Sequence, residues 1–247
     1  MIFFSYLLNI RTGLQENCTN GGLIAITFDD GPTKYTNTIL DIAQDKDVPL
    51  TFHFTVHEKY RGNLATIYRR AADEGHTVGL RVNPKRNYDE MEFDDVKDDI
   101  ERQLTALADV TNTDIKYARA PVDDGSYNEA VYETFAGNNI VQSSYNFRPY
   151  DIEGNPIEEW KSMLKLANPK YESFIVQLHD EREQEDAYLE DIIDIGKEFG
   201  FTFVTLDDCL GDFKPDNIPI DKKSKLSSDG VTDINISYIF LLVLYAF

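Results

Sequence analysis

The sequence predicts an α/β fold organised as one (β/α) barrel with about seven parallel strands. Apolar spacing alternates along the chain between a period of two and a period near 3.6, the signature of strands followed by helices. The chain has 247 residues, the size of one such barrel. No Gly-x-Gly-x-x-Gly loop opens any of the helices. That favours a parallel barrel over the nucleotide-binding open sheet, the alternative that the same alternation of elements would also fit.

The first strand is expected over 24–28 and the first helix near 36–46, where Ile39, Leu40 and Ala43 fall on one face. "VPLTFHFTV" reads as the second strand. A helix over 63–74 stops at Gly75, whose freedom at positive φ suits a helix end, and a strand follows over 76–80. An acidic helix carries Phe93, Val96, Ile100, Leu104 and Leu107 on its apolar stripe. The acidic run from Asp89 to Glu101 is its solvated face. Next come strand "IKYAR", helix 127–136, strand 140–145, helix 158–167, strand "SFIVQL", helix 186–199 closed by Gly200, and strand "FTFVTL".

Hydrophobic residues make up 42% of the chain and aromatics 12%, enough for a sizeable core. With 24 basic against 44 acidic residues the formal charge is −20, which argues against nucleic acid or an anionic membrane surface as a non-specific partner. Residues 1–17, beginning "MIFFSYLLNI", read as a signal peptide and leader, with an N-terminal core strand as the alternative. Residues 18–213 form the expected barrel, and 214–247 a polar linker and apolar tail. "ISYIFLLVLYAF" is short of the ~20 residues a spanning helix needs. Behind Ser227, Ser228, Asp229 and Gly230 it fits a lipid-anchor signal with a short spacer, or else a tail helix packed on the domain. A secreted or cell-surface monomer is expected. Cys18 and Cys209 flank the barrel and are either a disulfide across it or two free thiols. Asn17-Cys18-Thr19 is a glycosylation sequon, and Asn235-Ile236-Ser237 repeats it in the tail.

In a (β/α) barrel, chemistry gathers at the C-terminal ends of the strands. "IAITFDDGPT" ends the first strand with Asp29 and Asp30. Arg81 follows the third strand, Arg119 the fourth, and His179 with Asp180 the sixth. Adjacent carboxylates at a buried strand end raise each other's pKa unless a cation faces them, so a metal or a basic side chain is implied.

The stretches "TFDDGP" (Thr27 to Pro32), "EGHTVG", "RAPVDDGSYNEAV", "IVQLHD" and "FVTLDDCLGD" resemble the polysaccharide deacetylases, which include the chitin deacetylases. The resemblance covers roughly 18–213 and implies a distorted barrel of about seven strands. It also implies hydrolysis of N-acetyl groups on polymers such as chitin, assisted by zinc or a similar ion. Carried over by motif, Asp29 is the general base, Asp30 a metal ligand, His179 the general acid and Arg119 the residue that orients the base. The metal polarises the acetyl carbonyl and activates a water.

The second motif departs from this pattern: Arg81 and Lys85 stand where the resemblance places two histidine ligands. A guanidinium has no lone pair to give, and an ammonium must first lose its proton. The chain's histidines are His53, His57, His76 and His179. His53 and His57 lie on a strand, where four residues span roughly 13 Å, too far for one ion. His76 reads as a framework residue. The expectation is that Arg81 and Lys85 replace the ion's charge by pairing with Asp29 and Asp30, the alternative being that both turn to solvent. The third motif carries an extra acidic "VDD" after Pro121, and the fourth survives only as "NFRPY". No bound metal is expected. The sequence reads as a divergent, extracellular, glycan-associated protein that has lost metal-dependent deacetylation and serves as a wall or coat component or glycan binder. The alternative is an active chitin or polysaccharide N-deacetylase with an unusual site.

Overall fold

The computed structural model describes residues 15–56, 64–121, 128–180 and 183–211, the side chains of residues 150 and 183–187 excepted. The leader up to residue 14, His57, the "VDD" insertion, and the linker and tail from residue 214 lie outside the described residues.

The elements follow in the expected alternation: β1 (Leu23–Asp29), α1 (Thr36–Lys46), β2 (Thr51–Thr55), α2 (Leu64–Asp73), β3 (Thr77–Arg81), α3 (Phe93–Thr111), β4 (Tyr117–Arg119), α4 (Glu129–Gly137), β5 (Val141–Gln142), α5 (Pro156–Leu166), β6 (Phe174–His179), α6 (Glu183–Glu198), β7 (Thr202–Val204) and α7 (Leu206–Leu210). Local chemistry sets several of these bounds. The Asn155 side chain accepts from the Ile157 and Glu158 N–H groups while Pro156 takes the first turn of α5, and Asn128 caps α4 through Val131 N–H. Two elements differ from the sequence reading. The fifth strand ends after Gln142, short of the expected 145, because the chain then turns to bridge other strands. The last strand stops at Val204, short of the expected 206, and Leu206–Leu210 form the short helix α7, to which the sequence reading gave no element.

All ladders are parallel, in the order β5-β4-β3-β2-β1-β6. β1 is the axis of the sheet. One of its edges pairs with β6 from Ile24 to Asp29. The other is shared, β2 taking Thr27 to Asp29 and β7 taking Leu23 to Ala25. The sheet curls until its ends meet at the single bridge between Phe147 and Val176, where Gln177 N–H donates to Phe147 O at 2.9 Å. This is the distorted parallel barrel that the sequence predicts.

Alternation sorts the strand residues into two sets. Ile24, Ile26, Phe28, Phe52, Phe54, Leu80, Val176 and Leu178 are buried in the main core with Trp160, Leu189 and Ile192 of the helices. Thr27, Asp29, Thr51, His53, Thr55, Arg81, Arg119, Gln177 and His179 are buried on the opposite face, inside the barrel. A second apolar cluster of Ala25, Tyr117, Val141, Ile175, Leu206, Cys209 and Leu210 fills the floor, so α7 works as a plug beneath the polar interior.

The plug is stapled, since Cys18 and Cys209 form a disulfide with Cα atoms 4.5 Å apart and a sequence separation of 191. The free-thiol alternative is thereby excluded. A closure this long contributes on the order of 5 kcal/mol in the chain-entropy account. Thr19 N–H and Leu206 N–H add bonds to Cys209 O at 2.8 Å and Thr51 Oγ1 at 3.0 Å.

His76 holds the framework place expected of it: its Nδ1 accepts the Leu50 N–H at 3.0 Å and its ring meets Phe52 edge-on at 5.6 Å. Burial pushes its pKa from the ordinary 6.5 down to about 4, the nearby Glu74 offsetting only part of that. A folded pKa below the unfolded one stabilises the fold fully above about pH 6.5, and that stabilisation is lost as pH falls toward 4. In urea titrations between those limits His76→Gln should remove up to one proton of uptake, about 1.4 kcal/mol per pH unit of slope. An unchanged slope in the variant would refute this assignment.

Candidate active site

β1 delivers Asp29 to the barrel interior and ends there, because Asp30 turns into the left-handed region at φ 71° ahead of a cis Gly31-Pro32 peptide. Gly31 packs against the Asp180 carboxylate so closely that any Cβ would collide with it. Asp180, fully buried, accepts from Thr36 Oγ1 at 2.6 Å, and its carbonyl accepts from Thr33 Oγ1 at 2.6 Å. Thr55 N–H reaches Gly31 O at 2.7 Å. The turn is therefore tied to β6 and β2, which fixes where both aspartates point.

Asp29 is fully buried and engaged at both oxygens. His53 Nδ1 lies 3.0 Å from Oδ1, while Gln177 Nε2 donates to Oδ2 at 2.5 Å and Arg119 Nη1 stands 3.5 Å from it. Burial favours the protonated form, but the Arg119 charge, the His53 hydrogen bond and the Arg81 charge together outweigh it. They hold the Asp29 pKa well below the usual carboxylate range. Arg119 is itself held by Thr27 Oγ1 at 3.1 Å and lies against the Tyr145 ring at 5.6 Å.

Asp30 is reached by Arg81, whose Nε donates to Oδ1 at 2.9 Å while Nη1 donates to Ala120 O. His179 Nε2 lies 3.6 Å from the other oxygen. Arg81 thus stands beside Asp30, where the sequence reading expected a cation in place of an ion. Lys85 does not join it. That residue is exposed, on a loop whose backbone bonds to Asn83, and the second cation of the cluster is Arg119. The reason is reach: Arg81 ends β3 with its side chain inside the barrel, whereas Lys85 lies four residues beyond on a turn.

Asp29, Asp30, Arg81, Arg119 and His179 are thus brought together at one rim. Asn17 is exposed, its side-chain oxygen accepting from Asn146 at 2.7 Å. Sequence reasoning missed three interior partners. His53 Nε2 lies 2.8 Å from Ser143 Oγ, and Gln177 completes the Asp29 shell. The signal was available in "TFHFT" and "IVQLH", where alternation puts His53 on the face of Thr51 and Thr55, and Gln177 on that of His179.

Zinc needs at least three protein ligands. Among the described residues no group of three or more His, Cys, Asp or Glu side chains is arranged to hold a metal ion, and the carboxylate expected to bind one is paired with a guanidinium. The residues present do not fit the ion.

Fold and rim define the class: a distorted parallel barrel whose acidic and basic groups gather at the C-terminal strand ends. Comparison with known proteins makes this specific. The family model for polysaccharide deacetylase matches residues 16–140. The chitin deacetylase of Colletotrichum lindemuthianum is 30% identical over 214 residues, covering 81% of this chain and 84% of that protein. A solved structure of the chitin deacetylase from that fungal pathogen aligns with TM-score 0.72 at 27% identity, over 84% of this chain and 95% of the other. A bifunctional xylanase/deacetylase of Pseudobutyrivibrio xylanivorans is 28% identical over 204 residues, 82% of this chain, and this chain spans 33% of that longer protein. The chain belongs to the polysaccharide deacetylase family.

His53 depends on a bare position beside it. A Cβ on Gly79 would stand 2.9 Å from His53 Cδ2 and 2.8 Å from the Tyr117 carbonyl oxygen, and the backbone contact cannot yield. Gly79→Ala should lower stability by about 1–3 kcal/mol in denaturant titrations, with partial recovery when His53 is also cut to Ala. A variant as stable as the wild type would mean that the interior is looser than its contacts imply.

Proposed function

We propose that this protein is a divergent, extracellular, glycan-directed member of its family that has lost metal-dependent N-deacetylation and acts on N-acetylglucosamine polymers such as chitin by binding. The observation that carries this reading is the Arg81 guanidinium seated on Asp30 at 2.9 Å. A cation at that carboxylate balances the charge without supplying a Lewis acid or a metal-bound hydroxide. Asp29, the expected base, is fully buried with both oxygens occupied. His179, the expected acid, lies with Nε2 3.6 Å from Asp30. Arg119 retains its expected contact with Asp29 at 3.5 Å. The chitin deacetylase relative supplies the polymer class.

Export is supported by the Cys18–Cys209 disulfide, which persists in oxidising compartments. No helix among the described residues is long and apolar enough to cross a membrane. A C-terminal lipid anchor, attachment to a wall and N-glycosylation at Asn17 belong to the same proposal, as does a monomeric state.

Purified protein should bind chitin beads, contain less than stoichiometric zinc or cobalt by elemental analysis, and release no acetate from chitin oligomers with either metal added. Metal-dependent acetate release that disappears in Asp30→Ala would establish the alternative, an active deacetylase with an unusual site.

A further inference from the structure

Beneath the carboxylate–arginine rim the barrel holds a hydrogen-bonded chain: Ser143 Oγ is 2.8 Å from His53 Nε2, and His53 Nδ1 is 3.0 Å from Asp29 Oδ1. Its polarity follows from its ends. Asp29 accepts the Gln177 amide and faces the Arg119 guanidinium, so toward His53 it is the acceptor and Nδ1 carries the proton. Burial foremost, and then the Arg119 charge, lower the His53 pKa, the Asp29 hydrogen bond working against them, and the ring stays neutral. Nε2 is therefore bare and accepts the Ser143 hydroxyl proton.

The order serine, histidine, aspartate is that of a hydrolase triad. Exposure argues against that use here, since Ser143 is 1% exposed and His53 and Asp29 are 0% exposed. Arg81 and Arg119, buried and paired in register, lie one step nearer the rim than His53 and Gly79 and roof the chain. A nucleophile that no substrate reaches does no acyl transfer. What the chain does reach is Asp29: His53 takes Oδ1, Gln177 and Arg119 take Oδ2, and the residue is 0% exposed.

We infer that Ser143 and His53 form a clamp on Asp29, a second block on the family's reaction that acts independently of the missing metal ligands. Both are positioning residues. The inference deepens the proposed loss of deacetylation and rests on Asp29 being the group a working site would use as base. Restoring metal ligands would then be insufficient by itself, because the base would still be bonded inward.

Two measurements on the full chain test this. Nitrogen-15 NMR of the imidazoles in the wild-type protein at neutral pH should show His53 neutral, protonated at Nδ1 and bare at Nε2. Ser143→Ala should shift the Nε2 resonance without changing the tautomer. The opposite tautomer or an imidazolium overturns the clamp. The second measurement compares Arg81→His/Lys85→His with the same variant carrying His53→Phe, each titrated with zinc by calorimetry and assayed for acetate release from chitin oligomers. Similar zinc affinity with at least tenfold more acetate from the triple variant is expected. His53→Asn, which keeps an N–H donor toward Asp29, should not reproduce the gain. Equal rates in the double and triple variants overturn the clamp, as does covalent labelling of wild-type Ser143 by a fluorophosphonate. Metal-dependent acetate release from the wild type would defeat the proposed function and the block together, whereas an inactive wild type with equal rates in the double and triple variants would defeat the block alone.

Discussion

Two aspartates at the end of one buried strand are a liability that the surrounding barrel has to neutralise. In a medium less polarisable than water, adjacent carboxylates stay ionised only with cations a few ångströms away. Arg119 answers Asp29 and Arg81 answers Asp30, at 3.5 Å and 2.9 Å. Much else in the interior follows from that pairing. Thr27 holds Arg119, the Ala120 carbonyl holds Arg81, and Gly31 is bare so that Asp180 can lock the turn carrying Asp30. A paired buried charge is not thereby a source of stability, since desolvation opposes the Coulomb gain, but removing one partner leaves the other stranded. The fold can therefore keep the acidic motif without an ion, provided the two arginines remain.

The same interior shows why a barrel tolerates so polar a centre. Outer strand faces and helices supply the apolar packing, with Trp160 wedged between Phe147 and Phe174 at 4.7 and 5.3 Å between ring centroids. The floor is closed by α7 and its disulfide. With the apolar work done outside and below, the inner face is free to hold threonines, a glutamine, histidines and arginines that bond to one another and to Asp29 and Ser143.

How much was legible in the sequence divides along physical lines. Seven strands and the helices between them could be read because apolar periodicity is a local property, and the rim residues could be placed because strand ends are set by the same pattern. The shortened fifth strand was not legible: its end depends on Phe147 reaching β6, a pairing between distant segments. Nor was α7, whose five residues are too few to show a helical period and which is held by bonds to Thr51 and Thr77. The sequence points to Arg81 and Lys85 as the cations facing the acidic motif; Arg81 does pair with Asp30, but Lys85 is exposed and Arg119, expected to orient Asp29, supplies the second charge, because reach across a barrel is not encoded in spacing. Spacing offers His53 only as one of a metal pair with His57, and a strand keeps those two too far apart for one ion. The partner of His53 is Ser143, ninety residues away, and only closure of the sheet brings the two side chains within 2.8 Å.

The staple between Cys18 and Cys209 also sets how the molecule can be held. It gathers the first and last described segments at the floor, under the N-terminal ends of the strands, while the acidic rim opens at the opposite pole. Any tether reaching the barrel along either segment grips it from below. On a support joined through either segment, the domain would sit with the C-terminal ends of its strands turned away from that support.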